Sequence, residues 1–265
     1  MYAHSRARGG PHHRRGRAGS DPQRPHGNRS LSRNGGYGKQ TVLNGTSFKV
    51  ARGAITTVIG PNGAGKSTVF KALFGLLRVQ SGRVVFDGRE VTNLDPRRLL
   101  ELGISYVPQG RNVFPELSVL HNLELGATAA GRDANVAGRI ESLMERFPML
   151  RRKAGAQAST LSGGEQKLLE IARGLLLEPK LMLIDEPSIG LSPLLVKETF
   201  GILQDLRAKG VSILMVEQNA KRALEISDFG VVLELGRTRI EAAAGAILAD
   251  PRVGQLFLGG HIAGS

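Results

Sequence analysis

The chain predicts an α/β fold, a mainly parallel sheet covered by helices on both faces. Three observations carry this. Apolar runs of strand length alternate with stretches of helical period from residue 54 to residue 235, and that alternation builds parallel sheets. One such run, ITTVI, leads directly into the glycine-rich GPNGAGKST at 60–68. Another, LMLI at 181–184, ends on two adjacent carboxylates, Asp185 and Glu186. Ligands of parallel sheets gather beyond the carboxyl ends of the strands.

The elements follow in order. Residues 54–59 form a strand and 67–77 a helix. Residues 83–86 form a short strand, closed by the turn at Asp87 and Gly88. Residues 104–107 form another, stopped by Pro108. From 118 to about 150 the pattern is helical, broken near Gly131 and Pro148. A helix spans 164–177 and stops at Glu178 and Pro179. Residues 180–184, 211–216 and 230–235 read as strands buried on both faces. An amphipathic helix over 193–209 ends at Gly210. The chain contains no internal repeat.

Composition narrows the function classes. The 265 residues are 41% hydrophobic, sufficient for a substantial core. Without cysteine, disulfides and thiolate metal sites are excluded, which fits a reducing compartment. No apolar stretch approaches the roughly 20 residues that span a bilayer, so a membrane process would need another chain for its membrane part. The net charge of +13 is unevenly placed. Residues 1–36 hold eight Arg, no Lys and one Asp, or +7, which leaves +6 for the remainder. This leading segment is almost devoid of apolar residues and is expected to be a disordered basic tail. It lacks the apolar region of a signal peptide, and Arg14 and Arg15 have no such region behind them. A solvated tail and a non-native upstream or frame-shifted translation of a GC-rich gene are the favoured readings. A basic arm for RNA or anionic lipid is a third.

The motifs supply the chemistry. GPNGAGKST fits G-x-x-x-x-G-K-[ST] between a strand and a helix. Gly60, Gly63 and Gly65 permit close backbone approach, with Pro61, Asn62 and Ala64 between them. Successive N–H groups and the helix N-terminus then face an anion. Lys66 is expected to meet the β- and γ-phosphates of a nucleotide, Ser67 to bind Mg²⁺, and Thr68 to bond the α-phosphate. Asp185 is expected to hold Mg²⁺ through water. Glu186 is expected to act as general base toward the attacking water. In LSGGEQ at 161–166, Ser162 and the amides of Gly163 and Gly164 open a helix and make a second anion site, with Glu165 placed for a capping box.

LSGGEQ, together with the other two motifs, resembles the signature of the ABC transporter ATP-binding family. The resemblance covers about residues 37–260. It implies a P-loop NTPase cassette with a mainly parallel core, an antiparallel β subdomain and a small helical subdomain at about 110–160, followed by a C-terminal tail at 261–265. It implies ATP and Mg²⁺ as ligands, and a second ATP-binding subunit whose nucleotide is met by Ser162, Gly163, Gly164 and Glu165. Tyr37 stands where the family stacks an aromatic on adenine. Gln109 stands where a glutamine senses Mg²⁺ and moves with the permease. SIGLS at 188–192 matches the loop that crosses the dimer interface. More narrowly, YVPQGRNVFPELSVLHNL and SILMVEQNAKRALEISD are similar to the LivF-type subunit of branched-chain amino-acid importers, and a urea-importer relative is close behind.

Two permease subunits and, indirectly, a substrate-binding protein are the implied partners. A cytoplasmic position, peripheral on the inner face of the plasma membrane, is the implied location. No specific nucleic acid is expected. An exporter ATPase and a non-transport ATPase acting with nucleic acid are the alternatives. Three departures stand out. Gln218, in VEQN, replaces the switch histidine and can bond a γ-phosphate without titrating. Ser192 stands where many cassettes have Asp. HGNRSLSRNGG, before Tyr37, is expected to make no good strand and to leave the antiparallel sheet with an unpaired edge.

Overall fold

A computed structural model describes residues 28–37, 40–128 and 135–253, with side chains from residue 42 onward. Strands β1 (Asn28–Tyr37), β2 (Gln40–Val50) and β3 (Ile55–Ile59) precede helix α1 (Lys66–Leu73). Short strands β4 (Val79–Ser81), β5 (Val85–Phe86) and β6 (Arg89–Glu90) lead to α2 (Pro96–Glu101) and β7 (Ile104–Val107). Helices α3 (Val119–Ala127), α4 (Val136–Arg146), α5 (Pro148–Arg152) and α6 (Gly163–Leu175) come next. Then β8 (Leu181–Asp185), α7 (Pro193–Ala208), β9 (Ser212–Val216), α8 (Ala220–Glu225), β10 (Phe229–Glu234), β11 (Arg237–Ala243) and α9 (Ala244–Ala249) follow.

The main sheet has the order β11-β10-β3-β9-β8-β7. Strands β10, β3, β9, β8 and β7 pair in parallel, and only β11 runs antiparallel, at the edge. Side chains alternate between two cores, as a strand of period two requires. Met182 and Ile184 of β8, with Ile213 and Met215 of β9, face the core shared with α3 to α7. Leu181, Leu183, Leu214 and Val216 face the opposite core, with Phe70 and Leu73 of α1 and Phe48 of β2. These runs are therefore apolar throughout because both faces are covered.

A second sheet, β2-β1-β4, lies beside the first. Here the structure corrects the sequence-based expectation. The stretch before Tyr37 does form a strand, pairing antiparallel with β2 from Asn28↔Val50 to Tyr37↔Gln40 and with β4 at Asn34↔Ser81 and Gly35↔Val79. It is the central strand of its sheet. Ladder hydrogen bonds come from the main chain, so a polar sequence can pair when its neighbours present a template. Strand β2 supplies that template, anchored through buried Leu43, Phe48 and Val50. Residues 28–36 thus belong to a sheet. The expectations for 1–27, the break near Gly131 and the tail at 261–265 lie outside the described residues.

Helix α1 is shorter than the sequence pattern suggests, ending at Leu73 and not at 77. Gly75 adopts a left-handed φ of 70°. The N–H of Leu76 then donates back to the Lys71 carbonyl at 2.8 Å. This closes the helix with its last carbonyls satisfied.

Candidate active site

The sheet topology gathers the chemistry-bearing motifs. The glycine-rich loop leaves the carboxyl end of β3, Asp185 ends β8, Gln109 follows β7, and Gln218 follows β9. These are neighbouring parallel strands, so their ends open on one edge of the sheet.

Loop 60–68 is shaped as a cradle. Gly63 and Gly65 have φ of 80° and 97°, which a left-handed backbone requires. Lys66 is 7% exposed, and its Nζ donates to the carbonyls of Gly60 at 2.8 Å and Pro61 at 3.1 Å. The ammonium thus spans the loop's entrance and braces its curve. Burial lowers the Lys66 pKa, while the carboxylates of Glu186 and Asp185 oppose the shift. The hydroxyl of Ser67 donates to Asp185 Oδ1 at 3.4 Å, and Thr68 is buried at the start of α1.

Asp185 is 2% exposed. Burial raises its pKa, against hydrogen bonds from Ser67 and Tyr106 and the charges of Lys71 and Lys66. Tyr106, in β7, reaches it with a hydroxyl at 3.5 Å. Glu186 follows with a φ of 50°, a left-handed conformation that costs a non-glycine residue energy and is found where surrounding structure enforces it. Its N–H still bonds the Val216 carbonyl at 2.9 Å, so the turn retains the sheet ladder. Its carboxylate accepts from Gln109 Nε2 at 2.8 Å. Burial, then the charge of Asp185, raise the Glu186 pKa; Lys66 opposes, and Glu217 adds to the rise.

A further carboxylate was not foreseen from sequence. Glu217, 1% exposed, accepts from the N–H groups of Ser188 at 2.8 Å and Gln218 at 3.1 Å. It joins the start of the SIGLS loop to Gln218, whose carboxamide is exposed. Burial is the main cause of its raised pKa. A Glu after an apolar strand gives no sign of facing inward, and neither does Tyr106.

Ser162 caps α6. Its N–H donates to Glu165 Oε2 at 2.9 Å and its hydroxyl accepts from the Glu165 N–H at 3.4 Å, a full capping box. Glu165 is also paired with Lys153 at 2.6 Å. The capping-box reading therefore matches the local geometry. The described bonds of Ser162 stay within α6, to Glu165 and Gln166, and none reaches loop 60–68. Tyr37 ends β1, and its side chain lies outside the described residues.

Ser67 and Asp185 offer a hydroxyl and a carboxylate oxygen side by side. That donor set fits Mg²⁺, a hard cation that protein sites hold through one or two oxygens while phosphates and water fill its remaining positions.

Residues 43–189 match the ABC transporter family. The chain belongs to that family. A 40% identity over 84% of this chain and 96% of the relative links it to the high-affinity branched-chain amino acid transport ATP-binding protein BraG of Pseudomonas aeruginosa. The probable branched-chain amino acid transport ATP-binding protein LivF of Archaeoglobus fulgidus is 38% identical over 87% of this chain and 98% of its own length. Lipopolysaccharide export system ATP-binding protein LptB of Acidithiobacillus ferridurans is 33% identical over 84% and 92%. Among solved structures, a nucleotide-free ATP-binding cassette from an ABC transporter superposes with a TM-score of 0.78 at 30% identity, covering 88% of this chain and all of that one. This ABC chain is thus an ATP-binding, ATP-hydrolysing transporter subunit, and no helix among its described residues is long and apolar enough to cross a membrane.

Proposed function

We propose that this ABC ATPase powers a branched-chain amino-acid importer. The 40% identity to BraG across 84% of this chain and 96% of the relative supports this most directly. In this reading two permease subunits and a second ATP-binding subunit complete the assembly, a substrate-binding protein delivers the cargo, and the chain sits on the cytoplasmic face of the membrane.

Each site residue takes a role within that reading. The amides of 60–65, with Pro61, Asn62 and Ala64 as spacers, hold the phosphates, and Lys66 neutralises them. Thr68 bonds the α-phosphate, and Tyr37 stacks on adenine. Ser67 and Asp185, with Gln109, hold Mg²⁺, which when bound offsets charge on the phosphates. Glu186 takes the proton of the attacking water. Gln218 bonds the γ-phosphate. Ser162, Gly163, Gly164 and Glu165 meet the nucleotide of the second subunit, so hydrolysis is coupled to pairing.

The test is an ATPase assay on the reconstituted complex, with binding proteins loaded with leucine, with urea, or left empty. Stimulation by the leucine-loaded protein is the expected result. Stimulation by urea alone moves the chain to the amide importers. Assembly without any stimulation overturns import and favours export, the role named for the LptB relatives.

A further inference from the structure

The turn that joins β10 to β11 lies against the glycine-rich loop, although the two are far apart in sequence. Leu235 and Gly236 form it, between the paired residues Glu234 and Arg237, with φ of 47° and 71°. Two consecutive left-handed residues make the tight turn that suits a twisted hairpin, and asparagine, aspartate or glycine takes its first place at least cost. Leucine stands there in this chain, 71% exposed, so the surrounding structure and not its side chain enforces the conformation. Gly236 makes the contacts that do so. Its N–H donates to the Ala64 carbonyl at 2.9 Å. Its carbonyl accepts from the Asn44 N–H at 2.9 Å and from the hydroxyl of buried Thr46 at 2.6 Å. A Cβ on Gly236 would come within 1.9 Å of the Val42 carbonyl oxygen, so the place admits only glycine.

This turn sets the direction of one amide in the loop. The peptide linking Ala64 to Gly65 is planar and trans, so its carbonyl and its N–H point opposite ways. Gly236 draws the carbonyl toward the hairpin, and the Gly65 N–H is thereby turned away from it. Gly65 is buried and caps the N-terminus of α1. Among the described hydrogen bonds its N–H has no partner. A buried main-chain donor without a partner is rare and calls for an acceptor from outside the chain.

We infer that Gly236 is a positioning residue for the phosphate loop: its N–H, held in place through Asn44 and Thr46, orients the Gly65 amide toward a bound phosphate oxygen. The inference rests on the assignment of residues 60–68 to nucleotide phosphates. Gly65 adjoins Lys66, the residue assigned to the β- and γ-phosphates, so di- and triphosphates gain from this amide and a monophosphate does not.

The full-length chain is titrated calorimetrically with ATP, ADP and AMP. Replacing Gly236 by glycolic acid, through nonsense suppression, exchanges its N–H for an ester oxygen and keeps the backbone shape. ATP and ADP affinity is expected to fall about tenfold or more, as for a lost hydrogen bond to a charged group, with AMP within about twofold. Thr46→Val, which removes the hydroxyl that holds the Gly236 carbonyl, shifts the same ratio by about threefold, and Thr46→Ser restores it. Leu235→Asn, which puts a favoured residue in the turn, leaves the ratio at its parental value.

A turn that only holds the fold together would lower the melting temperature and change the three affinities alike or not at all, which overturns the inference. A selective loss in Leu235→Asn would place the effect on that side chain and overturns it as well. Lys66→Ala separates the two ways of failing. If it abolishes the preference for ATP and ADP over AMP and the ester does not, the inference fails alone. If it leaves that preference intact, the phosphate assignment fails with it. Should the ester chain not fold, Thr46→Val decides. A selective loss of ATP and ADP affinity supports the inference, and an unchanged ratio overturns it.

Discussion

Glu186 leaves its strand in a left-handed conformation and presents its carboxylate to Gln109. Its environment suits the general-base role proposed for it. Burial and the neighbouring Asp185 lift its pKa above the ordinary 4.5, toward the range where a base is both ionised and strong enough to matter. The sign follows from the role. A general base works when deprotonated, so kcat rises with pH through this raised pKa and levels off above it. We predict an acid limb of kcat lying above the ordinary glutamate range. We also predict that Glu186→Gln binds ATP normally but loses roughly 10²- to 10⁴-fold in kcat. Single-turnover hydrolysis and nucleotide binding check both. Near-parental turnover by the variant would remove Glu186 from the base role. Lys66 contributes at the same scale. Its ammonium rests on the Gly60 and Pro61 carbonyls, which braces the loop from within.

Loop 60–68 depends on its fit against a neighbouring strand. A Cβ at Gly60 would come within 2.1 Å of the Leu233 carbonyl oxygen in β10. That atom is backbone of β10, where Leu233 pairs with Thr238 of β11, and it cannot swing aside as a side chain could. Gly60→Ala is therefore expected to destabilise the chain by about 1–3 kcal/mol, as overpacking does, and to weaken ATP binding. Urea unfolding and nucleotide titration read the two effects. A variant with parental stability would mean that β3 and β10 separate more easily than their shared ladder suggests.

Legibility also differs by element. The strands β3, β7, β8 and β9 were plain in the sequence because both their faces are buried and apolar residues dominate each run, with Thr56, Thr57, Ser105 and Ser212 as buried polar exceptions. The phosphate loop was plain because its glycines and lysine have fixed spacing. Strand β1 was hidden because its pairing is main-chain pairing, and no alternation of apolar residues announces it. The buried charges of α6 were hidden for a different reason. In LSGGEQKLLEIAR, Lys167 and Glu170 look like a solvated face until loop 108–112 folds over them. Glu217 reads in the same way as the polar end of a strand.

At the scale of the whole chain, the two proposed anion sites lie on separate elements. One is the loop after β3 and the other is the start of α6, held open by its capping box. The described hydrogen bonds of Ser162 go to Glu165 and Gln166 of its own helix, which is the arrangement expected if a second subunit's nucleotide completes the proposed site. We predict that Ser162→Arg leaves ATP binding to the isolated chain unchanged within about twofold but lowers hydrolysis in the assembled complex by roughly tenfold or more. An unchanged rate in the complex would argue that the α6 start faces no phosphate. The side chains of Leu191 and Leu195, on the segment that follows Glu186, pack against Gly163 and Gly164 at that start.

The central position of β3 also governs when the molecule becomes competent during synthesis. Its two neighbours, β9 and β10, are supplied by residues 212–216 and 229–234, more than 150 positions later in the chain. The phosphate loop is made early, yet the strand that holds it has both edges unpaired until the last third of the protein has emerged. Long-range parallel pairing of this kind is slow and leaves apolar edges exposed while it waits. A nascent or truncated chain ending before β9 therefore carries every residue of GPNGAGKST with neither neighbour of β3 in place. On this topology, nucleotide binding is expected only once β9 and β10 have both joined β3.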